Sequence, residues 1–148
     1  MSADNLTRTQ RDDLRTIAAM IVPASEEYKV PGADDPAIQA DMLATLGRDT
    51  KLVAAALDHL ARLAGAPLAE LDAARRDAVA QEFRTSGGVA AATLARVVLQ
   101  CYYRDDRVLR SLGIELRAPF PKGYVLPDGD WSLLDPVKAR AGSLRQVP

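Results

Sequence analysis

The chain has 148 residues, a formal net charge of -1, 48% hydrophobic and 26% charged residues, one histidine and one cysteine. This is the balance of one ordinary folded domain, without the net basic face that a dedicated nucleic-acid surface needs. One His and one Cys exclude an internal disulfide and leave too few soft ligands for a zinc, haem or iron–sulfur centre.

Helical periodicity predicts a first helix over residues 7–22, with Leu14, Ile17, Ala18 and Ile21 on one face. Thr7 and Gln10 have the spacing of a capping box, and Pro23 stops the run. The stretch PASEEYKVPGADD reads as a loop, closed by Asp35 as a helix cap with Pro36 at the first helical position. Ile38, Met42, Leu43 and Leu46 mark the buried side of a second helix, after which Gly47 is expected as a stop and Asp49 with Thr50 as a fresh cap. A third helix carries Val53, Leu57, Leu60 and Leu63 on one stripe and ends at Gly65 and Pro67.

A fourth, highly charged helix is expected over about 69–84, on Leu71, Ala74, Ala78 and Phe83, and Ser86, Gly87 and Gly88 break the chain behind it. Residues 89–104 form a fifth helix whose polar residues up to Gln100 are only Thr93, Arg96 and Gln100, one narrow stripe. A helix apolar around most of its circumference belongs in the middle of a bundle. DDRVLRSLG fits a short helix capped by Asp105 and Asp106 and closed by Gly113. Beyond it, Pro119, Pro121 and Pro127 predict an extended strap over 114–136, followed by a helical turn after Asp135 and Pro136. No segment alternates with period two. The fold class is therefore all-α, a single domain with a bundle of about five helices over 1–113 and a C-terminal strap over 114–148.

No stretch of about 18 apolar residues is evident, so no membrane span is expected. The opening MSADNLTRTQRDDL shows neither an apolar core nor adjacent arginines, and the expected location is cytoplasmic. Neither GxGxxG nor GxxxxGK[ST] occurs, so the chain is not expected to hold FAD or NAD by a Rossmann route. His59 reads as a helix-surface or half-buried residue and Cys101 as a small buried hydrophobe. The pairs Asp12–Asp13, Asp34–Asp35 and Asp105–Asp106 sit beside helix ends, where carboxylates cap free N–H groups. No catalytic, metal-binding or cofactor-binding residue is assigned.

Five of the seven aromatic residues, Tyr102, Tyr103, Phe120, Tyr124 and Trp131, fall in the last third of the chain. Tyr102 and Tyr103 face different sides of their helix, so at most one can lie in the core, and the other is expected to contact the strap. Large rigid side chains with polar tips are the type enriched at interface centres. The expected contact set is Tyr102, Tyr103, Arg107, Phe120, Pro121, Tyr124, Trp131 and Leu134.

The opening LTRTQRDDLRTIAAMIVPA, the PGADD loop, and above all YYRDDRVLRSLG, PFPKGY and DWSLLDPVKAR resemble the gluconate 2-dehydrogenase subunit 3 family. The resemblance implies an all-helical, non-catalytic small subunit. Its partner would be a large subunit of the glucose-methanol-choline type, which holds the FAD and selects the sugar, glycoside or alcohol. The expected state is a hetero-oligomer in which this chain binds no cofactor itself. Many members of that family carry a twin-arginine signal, a feature this opening lacks. From the residues alone, a different class stays open: a self-associating helical protein that binds a small apolar ligand between its helices.

Overall fold

The computed structural model describes residues 6–116, 123 and 128–140. The chain divides into two compact units, Met1–Leu116 and Arg117–Pro148. Helix α1, Arg8–Ile21, starts on the expected capping box: Thr7 Oγ1 accepts the Gln10 N–H at 3.2 Å, and the Thr7 N–H donates to Gln10 Oε1 at 2.8 Å. Gln10 Nε2 also donates to Asp58 Oδ1 at 2.8 Å, so the cap that starts α1 ties it to a residue 48 positions away. The loop after Pro23 folds on itself through an isolated antiparallel bridge between Ser25 and Val30, and the Ala33 N–H returns to the Val22 carbonyl at 2.9 Å.

Helix α2, Pro36–Thr45, is capped as expected, with Asp35 Oδ1 accepting the Ala37 N–H at 2.9 Å. Helix α3, Thr50–Ala64, differs from expectation at its start. A 3-10 turn, Gly47–Asp49, leads straight into it, and Asp49 makes no side-chain cap. Its backbone is already helical, and its carboxylate instead meets Arg96 at 2.8 Å. Helix α3 ends at left-handed Gly65, as the sequence predicts.

Helix α4 is Ala73–Ser86, four residues later than expected. Leu68–Glu70 forms a 3-10 turn that buries Leu68, and Asp72 Oδ1 caps α4 by accepting the Arg75 N–H at 2.8 Å. The buried residues of α4 are Val79 and Phe83, whereas Ala74 and Ala78 are exposed. Gly87 and Gly88 then reverse the chain. A Cβ at Gly87 would fall within 2.7 Å of the Phe83 carbonyl oxygen, and Gly88 has φ +51. Helix α5, Gly88–Tyr102, and the short α6, Asp106–Ser111, complete the first unit.

Helix α5 packs against α1, α2, α3 and α4, and its contact with α3 is the most extensive in the molecule. Val53, Ala56, Leu57 and Leu60 of α3 and Leu94, Val97, Val98 and Cys101 of α5 are all buried in one core. The expected solvent stripe on α5 is only partly polar surface. Thr93 is buried and donates its hydroxyl to the Val89 carbonyl at 2.8 Å, while Ala92 and Leu99 are exposed. By length and composition alone, Gly47–Glu70 is apolar enough to be compared with a membrane-crossing helix, although Asp58, His59 and Arg62 interrupt its apolar residues. Within it α3 has 15 residues, about 22 Å at ~1.5 Å per residue against a hydrocarbon core of ~30 Å.

In the second unit, Asp130 Oδ1 accepts the Ser132 N–H at 3.0 Å and starts a 3-10 turn, Trp131–Leu134, that runs into α7, Asp135–Ala139. The extended strap expected over 114–136 is therefore corrected at Trp131–Leu134, and residues 117–122 and 124–127 lie outside the described residues. The described residues are all-α, with α1–α5 as the expected five-helix body and no named strand.

One buried acid holds α1 to the turn before α4. Asp13 is 3% exposed, and its Oδ1 accepts the Leu68 N–H at 3.0 Å. Burial, opposed by that hydrogen bond and aided by Asp12, raises its pKa above the ordinary carboxyl value. A raised acid favours the fold most below its unfolded pKa, and that contribution is lost as pH rises through the folded pKa. Asp13→Asn, which keeps an acceptor and removes the ionisation, is expected to raise Tm at pH 7 and to match the parent at acid pH in calorimetry. Asp13→Ala leaves the Leu68 N–H unpaired and should cost about 1–3 kcal/mol in urea titration.

Candidate docking surface

The C-terminal end of α5 and the start of α6 meet the start of α2 through charged side chains. Arg107 lies between two carboxylates: Nη1 and Nη2 donate to Asp35 at 3.0 and 2.8 Å, and Nε and Nη2 donate to Asp105 at 3.0 and 2.9 Å. Asp35 caps α2 and Asp105 caps α6, so one guanidinium links two helix starts. Arg104 donates to Asp41 Oδ2 from Nε at 2.8 Å and from Nη2 at 2.6 Å, and to Thr45 Oγ1 at 3.0 Å. Cys101 is buried behind it, with Sγ 3.5 Å from Arg104 Nη2, and burial pushes its thiol pKa up, the wrong direction for a reactive thiolate.

The two tyrosines separate as their spacing requires. Tyr102 is buried at 4% exposure and Tyr103 stands 52% exposed, their rings edge to face at 5.2 Å. Tyr102 therefore belongs to the core and leaves the expected contact set, while Tyr103 keeps its surface. Arg107 keeps its hydrogen bonds inside the chain. In the second unit Trp131 is 69% exposed, Leu133 74% and Leu134 41%, and Val137 is exposed as well. Phe120, Pro121 and Tyr124 lie outside the described residues.

Other candidate chemistry does not converge. Ser86 Oγ lies 3.4 Å from His59 Nε2, but its hydroxyl donates to the Glu82 carbonyl at 2.8 Å, so that proton is not aimed at the imidazole. His59 is half-buried and packs edge to face on the buried Phe83 at 5.8 Å, a packing role. Among the described residues no group of three or more His, Cys, Asp or Glu could hold a metal ion. Asp35 and Asp105 act as caps, as expected, while Asp13 is held inside the protein.

Two surfaces escape sequence reasoning. Leu133 and Val137 are exposed beside Trp131 in sequence, and the density of apolar residues in this segment is the available signal. The second is an open apolar groove of about 800 Å³ between α1, α4 and α5, lined by Met20, Phe83, Ala91, Ala92 and Ala95 among others. Its trace in the sequence is the small-residue spacing Gly88, Ala92, Ala95 ahead of Leu99. No protein-family model matches the chain, and no curated protein or solved structure shows significant similarity to it.

The Arg107 clamp predicts a pH signature. The guanidinium beside them, chiefly through hydrogen bonds, holds both Asp105 and Asp35 below the usual carboxyl value. A lowered acid stabilises the fold above its unfolded pKa, and the contribution is lost as pH falls through the folded value. Arg107→Met should cost about 1 kcal/mol at pH 7, small because half-exposed pairs are screened. In urea titrations the difference from the parent should shrink with added salt and close as pH falls below the ordinary carboxyl range, once both lowered acids are protonated.

Proposed function

We propose that this chain is an accessory, non-catalytic subunit that docks on an FAD-dependent sugar, glycoside or alcohol dehydrogenase of the glucose-methanol-choline type and holds it in its assembled form. The carrying observation is the segment Trp131–Ala139, nine residues in which Trp131, Leu133, Leu134 and Val137 all remain exposed. Water contact on so dense an apolar stretch is unfavourable by roughly 1.5–3 kcal/mol per large side chain relative to full burial, so the segment gains by being covered. Tyr103 adds a second exposed aromatic on the first unit. The same segment lies within DWSLLDPVKAR, one of the three motifs, with YYRDDRVLRSLG and PFPKGY, on which the resemblance to the gluconate 2-dehydrogenase subunit 3 family chiefly rests.

In this reading the flavin and the chemistry belong to the large subunit. The small subunit contributes binding energy from aromatic anchors, and that energy stabilises the folded, flavin-loaded partner by mass action. Co-expression with a large FAD-dependent dehydrogenase of the glucose-methanol-choline type should give one co-eluting species on size exclusion, with higher flavin absorbance per large subunit than when the large subunit is made alone. A small chain that elutes by itself and leaves flavin loading unchanged defeats the proposal. Trp131→Ala should weaken assembly by about 2 kcal/mol or more, and Phe120→Ala and Tyr124→Ala test whether the anchor set extends into the preceding segment.

A further inference from the structure

The chain beyond α5 is fastened to α2 by two arginines. Arg104 reaches Asp41 and Thr45 in the second half of α2, and Arg107 reaches Asp35 at its start. Helix α6 has little other hold on the body. Val108 is its only buried residue, and Asp106, Arg107, Arg110 and Ser111 are exposed. Several further bonds stay within this arm. Asp105 caps α6 and pairs with Arg107, Asp106 lies 3.6 Å from Arg110, and left-handed Gly113 lets the Ile114 N–H return to the Leu109 carbonyl at 3.0 Å. Those contacts travel with the arm, whereas the bonds to α2 and the seat of Val108 are what a movement must break.

The same arm covers the chain's single thiol. Cys101 is 3% exposed, and Arg104 Nη2 stands 3.5 Å from its Sγ. Cys101, Arg104 and Asp105 line a cavity of about 220 Å³ together with Ala37, Ile38 and Asp41 of α2. Lifting the arm removes Arg104 and Asp105 from that wall. The move costs little, because the pairs to α2 are partly exposed and screened by water, and a six-residue helix seated by one valine adds little to them. The α3–α5 seam, by contrast, buries side chains along both helices, and separating it unfolds the body.

We propose that residues 104–112 form a latch that opens as one piece about the end of α5 while the helical body stays folded, and that this opening admits small reagents to Cys101. Arg107 and Val108 hold the latch shut. Salt loosens it, since the bond from Arg107 to Asp35 crosses partly exposed surface.

Cys101 reports the motion, because Arg107 bonds to Asp35 and Asp105 and not to the thiol. The full chain is alkylated with iodoacetamide, a neutral reagent that charge does not steer, and the rate is followed by mass spectrometry from zero urea to the foot of the unfolding transition. Opening of the latch exposes little surface, so the rate should be nearly flat in urea at first and join the slope of global unfolding only near the transition. Arg107→Met should raise the flat part about fivefold, and the ratio to the parent should shrink in 1 M salt. Val108→Ala, which shortens the buried anchor, should raise it about tenfold. In hydrogen exchange the α6 amides should share the flat dependence, while α3 amides follow the global slope. A rate that climbs with the full slope from the lowest urea overturns the proposal, since the thiol is then reached only by unfolding the whole chain. A flat rate that Arg107→Met and Val108→Ala leave unchanged also overturns it, since Cys101 is then uncovered by some other movement.

Discussion

Helices α3 and α5 lie against one another over most of their lengths, and the other elements are arranged around that seam. Four side chains of α3, Val53, Ala56, Leu57 and Leu60, have no exposed surface at all. At about 25 cal/mol per Å² of apolar area, burial on this scale is the largest favourable contribution available to a helical chain of this size. Neither helix is stable by itself at 15 residues, since nucleation is unfavourable and tertiary packing supplies most helical stability. The seam therefore specifies both helices together, and α1, α2 and α4 cover what the pair leaves exposed. Coverage is incomplete on one side of α5, and the groove is the result.

Polar groups set the directions in which the chain enters and leaves this core. Asp13 fixes the turn at Leu68 from inside the protein, and Gln10 reaches Asp58 from the cap of α1. Arg107 joins the starts of α2 and α6, and so fixes where the chain turns after Tyr102. These contacts add little energy individually, because most are half-exposed. Their role is geometric: each connects elements far apart in sequence, and a one-turn slip of any of them would leave an acceptor or a cation without its partner.

Much of the body is legible in the sequence because its signals are local. Thr7 with Gln10, Asp35 with Pro36, and Gly65 each act through neighbours no more than four residues away, and each behaves as its spacing implies. In α4 the expected Phe83 is buried and Leu71 packs against the core just ahead of the helix, but Ala74 and Ala78 imitate an apolar stripe where tertiary packing selects Val79. The burial of Leu68 in a 3-10 turn is likewise a tertiary effect, fixed by Asp13 from 55 residues away. Of the expected contact residues, Tyr103 and Trp131 kept their surfaces, but Tyr102 could be assigned to the core only once the partners of α5 were known. The groove was the least legible feature, since a gap between three helices has no sequence of its own.

The α4–α5 turn has a kinetic consequence. Gly87 donates its N–H to the Phe83 carbonyl at 2.8 Å where a side chain would have no room, and Gly88 holds a left-handed φ, so the turn that joins two sides of the groove is tight and defined by its backbone. A cleft fixed in this way exists before anything occupies it and loses little conformational entropy when something does. Encounter with a folded ligand would then be limited by orientation, in the ordinary range of about 10⁵–10⁷ M⁻¹s⁻¹, with no slow rearrangement of this chain preceding it.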